Sequence, residues 1–183
     1  MRSASTGLAC VIGLACASSA AGQAPASARP TRAALLEVAR SIMDASRYCA
    51  VITVDASGWP QARTMDVFPP DDQMVVWFAT NPKSRKVAQI QRDASVTLYY
   101  FDTQSMGYVT LLGRARLVDD PAEKKKRWKD GWEAFWPDRD KSLLLVEVTP
   151  ERLEVVSPGH GVEGDPVTWA PPVVEFPSAK RER

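Results

Sequence analysis

The stretch from Ala79 to Ile90, "ATNPKSRKVAQI", places Lys83, Arg85 and Lys86 where a helix is expected to begin, with Asn81 suited to cap it and Pro82 to its first position. The start of a helix already carries the positive pole of the backbone dipole, and acidic residues are the usual occupants there. Three cations at that end make physical sense if an anion takes up both their charge and the free backbone N–H groups, and a phosphate is the anion best suited to it. The competing reading is a solvated helix face, which is what charge runs usually are.

Other chemistry finds little to work with. His160 is the single histidine, so one chain cannot assemble a histidine-cluster metal site. Cys49 sits in an apolar, β-branched run and reads as a small buried residue. The acidic clusters "PPDDQ" and "VDDP" have the composition of turns rather than of a catalytic carboxylate pair. "KKKRWKDGWEAFW" interleaves cations with aromatic rings, as a base-stacking surface would. The same spacing makes an amphipathic helix with Trp128, Trp132 and Phe135 on one side, and that is the reading preferred here.

Composition narrows the partners. The chain has 183 residues, 45% hydrophobic and 25% charged, with a formal net charge of +1. That is enough for one domain with a real core and gives no general pull toward nucleic acid, so any anion site must be local. Residues 1–24 run from Arg2 through an apolar segment at Leu8 to Ala17 into small residues, the pattern of a cleavable secretory signal, which implies export, to the periplasm in a bacterial cell. The apolar segment is too short for a membrane span, and no later stretch is longer. Cys10 and Cys16 would leave with that leader, so Cys49 would have no partner for an internal disulfide.

The elements that must position the cations follow from periodicity. Residues 25–30 are small and proline-bearing, a linker. Thr31 precedes a run with Leu35, Leu36, Val38, Ala39, Ile42 and Met43 at helical spacing. Then "YCAVITVD", "PQARTMDVFPP" and "QMVVWFAT" read as strands joined by short turns, hence an antiparallel meander. After the short cationic helix come "SVTLYYFD", then "GYVTLLGRARLVDD" with room to bend at Gly113, and finally "SLLLVEVTPERLEVV". The class is mainly β: a six-stranded antiparallel barrel with flanking helices over residues 31–156, since closure removes exposed edges. The tail, residues 157–183, is too apolar for plain disorder and is expected to lie along the barrel or a partner subunit.

With that order of elements, "FATNPKSRKVAQI" resembles the FMN-binding split-barrel superfamily of pyridoxamine 5'-phosphate oxidase, and its general stress protein subgroup in particular. The likeness covers roughly Leu35 to Val156. It implies FMN held between the two subunits of a homodimer. It places Arg63 on the flavin phosphate or ribityl chain, with the backbone of Thr64, Met65 and Asp66 along the ring edge. Ala79 and Thr80 fall at the family's strand end, Ser84 adds a hydroxyl, and Arg85 and Lys86 match its phosphate-binding pair. These side chains suit the task on chemical grounds as well, because a guanidinium gives two parallel N–H bonds and lysine and hydroxyl groups serve the remaining oxygens.

The chain also departs from the oxidase. Phe68 stands where the oxidase has a substrate-binding lysine and "SPGHGVEGDPVTWAPP" lacks its C-terminal arginine and histidine; Tyr108 stands where the oxidase has a flavin-binding glutamine and is kept as a cofactor-binding candidate, since a tyrosine can stack on or hydrogen-bond a flavin. Oxidation of pyridoxamine phosphate is therefore not expected. The resemblance implies a flavin-dependent oxidoreductase acting on a small redox substrate, exported on the reading of its leader, with no catalytic side chain assigned and no metal. The alternatives are a non-catalytic flavin-binding stress module, or a barrel that takes FAD, a deazaflavin or haem instead of FMN.

Overall fold

The structure is a computed structural model and describes residues 29–177. The leader read over residues 1–24, most of the linker and the last six residues of the tail lie outside the described residues. The first helix, α1 (Arg32–Ala45), starts where its cap was read: the Thr31 hydroxyl accepts the Ala34 N–H at 3.2 Å. Its apolar stripe of Leu35, Ala39, Ile42 and Met43 is buried against the sheet.

The chain then alternates between strands and short helices: β1 (Tyr48–Val54), β2 (Pro60–Asp66), β3 (Val76–Thr80), α2 (Arg85–Arg92), β4 (Ser95–Asp102) and β5 (Gly107–Val118). Two short helices, α3 (Pro121–Lys126) and α4 (Arg139–Ser142), flank a single 3-10 turn at Trp132–Ala134, and β6 (Leu144–Val156) ends the barrel. From the tail, β7 (Val173–Glu175) pairs with β6, and Val174 joins the core, so this stretch of the tail lies along the barrel.

All pairings are antiparallel, in the order β2-β1-β4-β5-β6-β3. The expected meander holds for β1 and β2 only. Pro69 and Pro70 offer no N–H to continue a ladder after β2, and β3, buried along its whole length, crosses to β6 instead. The sheet curls until its two edges touch at one bridge, Val67 with Phe78, supported by Phe68 N–H donating to the Trp77 carbonyl at 2.8 Å. Curling is eased by a bulge at Leu112/Gly113, where a Cβ on Gly113 would stand 2.4 Å from the Thr149 carbonyl oxygen. The core inside is aliphatic with Phe78, Tyr100 and Cys49. The Cys49 thiol, buried, is pushed up to about 12 and stays protonated, in keeping with a structural residue.

Two local expectations are corrected. Asn81 does not cap the helix: its side chain accepts the Lys83 N–H at 2.8 Å and its carbonyl the Ser84 N–H at 3.0 Å, so it closes a turn and α2 begins only at Arg85, with Ser84 at the cap position but making no side-chain cap bond. The basic aromatic run is not one helix either. Gly131, at φ +83°, breaks it, and Trp132 turns inward while Phe135 is 76% exposed.

Candidate functional site: a cleft in the barrel seam

Past the Val67–Phe78 bridge, the next pairs of an antiparallel ladder would be Asp66 with Ala79 and Met65 with Thr80. No such ladder forms; instead these residues line a cleft of about 650 Å³. It opens between two edge strands, whose outward backbone groups have no neighbouring strand at that point. One end of the cleft is polar, with Thr64, Thr80, Asn81, Ser84 and Lys86. The other end is walled by Trp132, Phe135 and Trp136.

At the polar end, the Lys86 ammonium donates to the Thr80 hydroxyl at 2.8 Å, and that hydroxyl lies 3.2 Å from the Ser84 hydroxyl. The Ser84 side chain makes no capping bond, and the first N–H groups of α2, at Arg85 and Lys86, have no acceptor among the described residues. Burial lowers the pKa of Lys86, and the nearby charge of Arg63 lowers it further. Arg63 is depressed in the same way, by burial first and then by Arg85. No carboxylate lies within ion-pair distance of Arg63, Arg85 or Lys86 among the described residues. Cations without carboxylate partners beside a helix start with free N–H groups have the chemistry to accept an anion.

The aromatic end is built differently. Trp132 packs edge-on against Phe68, Trp128 and Trp136 at 4.8 to 5.8 Å between ring centres. Lys129, 4.3 Å above the Phe68 ring, donates to the Asp66 carboxylate at 2.8 Å and to the Val67 carbonyl at 3.1 Å, tying this segment to the end of β2. Arg47 adds a second ion pair to Asp66 at 3.6 Å. The spacing of Trp128 and Trp132 hinted at a packed cluster. Nothing local to the sequence linked Lys129 with Asp66.

Of the residues singled out from sequence, Thr64, Met65, Asp66, Ala79, Thr80, Ser84 and Lys86 share this cleft. Arg63, on β2, is not among the lining residues and bonds Thr53, Gln61 and Gln89, while Arg85 is exposed at the start of α2. Tyr108 lies apart, on β5, stacked on Tyr99 at 5.9 Å; burial and Glu154 raise its pKa. His160 also lies away from the cleft, its ring bonded to the buried Ser157 hydroxyl at 2.7 Å. Arg47, Lys129, Trp132 and Trp136 line the cleft without having been assigned to a site beforehand.

A curled antiparallel sheet that fails to close along one seam, with unpaired cations at that seam, defines a split-barrel protein. More narrowly, the chain belongs to the pyridoxamine 5'-phosphate oxidase like family, whose model matches residues 35–160. Its fold is similar to that of a protein related to general stress protein 26 from Clostridium acetobutylicum, with a TM-score of 0.65 at 20% identity over 80% of this chain and 97% of that one. A pyridoxamine 5'-phosphate oxidase-related, FMN binding protein from Nostoc punctiforme matches at a TM-score of 0.53 and 19% identity, over 80% and 94% of the two chains. An F420 reductase matches at 0.51 and 21% identity, over 62% and 94%. At such identities the likeness is one of fold. No curated protein matches the chain.

Proposed function

We propose that the seam cleft holds FMN and that the protein is a flavin-dependent oxidoreductase working on a small redox substrate. The observation that carries the reading is Lys86, which lines the cleft with its Thr80 and Ser84 hydroxyl neighbours beside the uncapped start of α2, with Arg63 and Arg85 close by, no carboxylate paired to any of the three, and an aromatic wall in the same cleft. FMN has the matching polarity, a phosphate at one end and a flat ring system at the other. Lys86, Ser84, Thr80 and the α2 N–H groups would hold the phosphate, with Arg63 and Arg85 adding charge. The β2 edge from Thr64 to Asp66 and the tryptophan wall would face the ring. When bound, the flavin supplies the two-electron chemistry; the protein supplies position, charge and exclusion of water. Two carboxylates line the cleft, the ion-paired Asp66 and the exposed Asp130, and no histidine reaches it; no side chain is assigned as acid or base.

Two further parts of the reading rest on separate features. Tyr99 and Phe101 on β4 are 38% and 45% exposed, and Tyr99 stacks on Tyr108; such a face favours a second copy of the chain. Replacing both Tyr99 and Phe101 by glutamate is expected to turn a dimer into a monomer in light scattering, and an unchanged mass would refute this interface. Export rests on the leader composition of residues 1–24. A deazaflavin is the second reading, since an F420 reductase shares the fold and a deazaflavin also joins a flat ring to phosphate.

The deciding experiment is an absorption and fluorescence spectrum of the purified chain with and without FMN, followed by reduction with a nicotinamide donor. Bound flavin that is reduced and reoxidised through many cycles supports the oxidoreductase. Bound flavin that never turns over supports a flavin-binding stress module instead. Binding of a deazaflavin in preference to FMN selects the second reading.

A further inference from the structure

Arg63 is oriented by neutral partners alone. Gln89 projects from α2 into the barrel, 7% exposed, where its Oε1 accepts both the Thr53 hydroxyl at 2.5 Å and Arg63 Nη2 at 3.0 Å. Arg63 Nη1 donates to Thr53 Oγ1 at 2.6 Å and to the Gln61 carbonyl at 2.8 Å. The polarity of this ring of bonds follows from chemistry. A guanidinium only donates, so the amide atom facing it must be the oxygen, and the single Thr53 proton goes to Gln89 because Thr53 already accepts from Arg63. Both Nη1 hydrogens and one on Nη2 are thereby used. The Nε hydrogen and the second Nη2 hydrogen have no acceptor among the described residues.

We infer that Gln89 is a positioning residue for anion binding: it aims the Arg63 guanidinium without neutralising it. A glutamate here would accept the same two bonds, but its charge would satisfy Arg63 in the empty protein and repel an incoming phosphate. A glutamine sets the same geometry and leaves the full positive charge for the ligand. The arrangement also couples β1, β2 and α2, because Thr53, Arg63 and Gln89 each belong to a different element. The helix that supplies Lys86 and Arg85 is thus locked to the strand that supplies Arg63.

This inference rests on the phosphate reading of the cleft, and riboflavin, which is FMN without its phosphate, separates the two. Affinities of FMN and riboflavin are measured by fluorescence quenching for the unaltered protein, Gln89→Glu and Gln89→Met. The unaltered protein is expected to prefer FMN. Gln89→Glu is expected to weaken FMN at least tenfold while changing riboflavin less than twofold, and Gln89→Met, which loses the acceptor but adds no charge, to weaken FMN several-fold with riboflavin again little changed. A merely structural glutamine would move both ligands together. If the unaltered protein binds FMN and riboflavin equally, the phosphate reading fails. If it prefers FMN and that preference survives Gln89→Glu, or survives Gln89→Met should the glutamate variant not fold, the role of Gln89 alone is overturned.

Discussion

Two basic runs in this chain look alike as text and end up in opposite surroundings. In "KKKRWK" the cations that turn inward are matched: Lys124, 1% exposed, pairs with Asp119 and donates to the Asp140 carbonyl at 2.6 Å; Arg127 pairs with Glu123 and lies 3.6 Å over the Trp77 ring; and Lys129 pairs with Asp66. Lys125 and Lys126 point to solvent. In "NPKSRK" the neighbouring groups are hydroxyls, bare N–H groups and another cation, Arg63. A charge run becomes a binding site when its charges are left unmatched in a concave place, and becomes a structural brace when the fold matches them. Since both runs are basic, only partner geometry tells them apart.

The largest expected effect tests the brace. Lys124→Met should cost about 2 kcal/mol of stability by removing the charge-assisted bonds of a buried ammonium to the Asp140 carbonyl and Asp119. Chemical denaturation would show this as a lower midpoint, while FMN affinity should stay within twofold. A loss of FMN binding without loss of stability would erase the distinction between the two runs.

The converse test is Arg85→Ala combined with Lys86→Ala. Charge-assisted phosphate bonds are worth roughly 1.5 to 3 kcal/mol each, less where exposed as Arg85 is, so FMN affinity should fall at least tenfold while the melting temperature hardly changes. Unchanged affinity, read by fluorescence titration, would remove the phosphate from this end of the cleft.

A smaller effect lies in pH. A phosphate monoester takes up its second charge near roughly pH 6, so FMN affinity should rise up to that range and then level off. Burial and Arg63 hold the Lys86 pKa below the ordinary lysine value, and a bound anion would raise it again. Binding therefore takes up a proton once pH exceeds the depressed pKa, and affinity must fall there, earlier than an ordinary lysine would dictate. Lys86→Arg should abolish this alkaline fall because a guanidinium keeps its charge. An alkaline fall that persists in that variant would assign the titration to another group.

Much of the local structure was legible in the residues. Thr31 announces α1, β-branched runs announce the strands, and Gly113 announces the bulge, because caps, periodicity and close backbone approach act over a few positions. The cleft residues at Thr80, Ser84 and Lys86 were legible too, since they sit within one short segment. The start of α2 was misread because an asparagine before a proline suits a turn as well as a helix cap, and only hydrogen bonding shows that Asn81 closes a turn. The aromatic run was misread because its spacing is helical while Gly131 and the packing around Trp132 divide it.

The sequence determined the kinds of element, their order and the crowding of cations at one helix start, all of which follow from short-range sterics and charge. Tertiary structure decided which of the chain's cations would find partners. Asp66 reaches Lys129 across 63 positions, Gln89 reaches Arg63 across 26, and β3 pairs with β6 rather than β2. Such partnerships depend on how the sheet curls, and a curl is a property of the whole core that no short segment encodes.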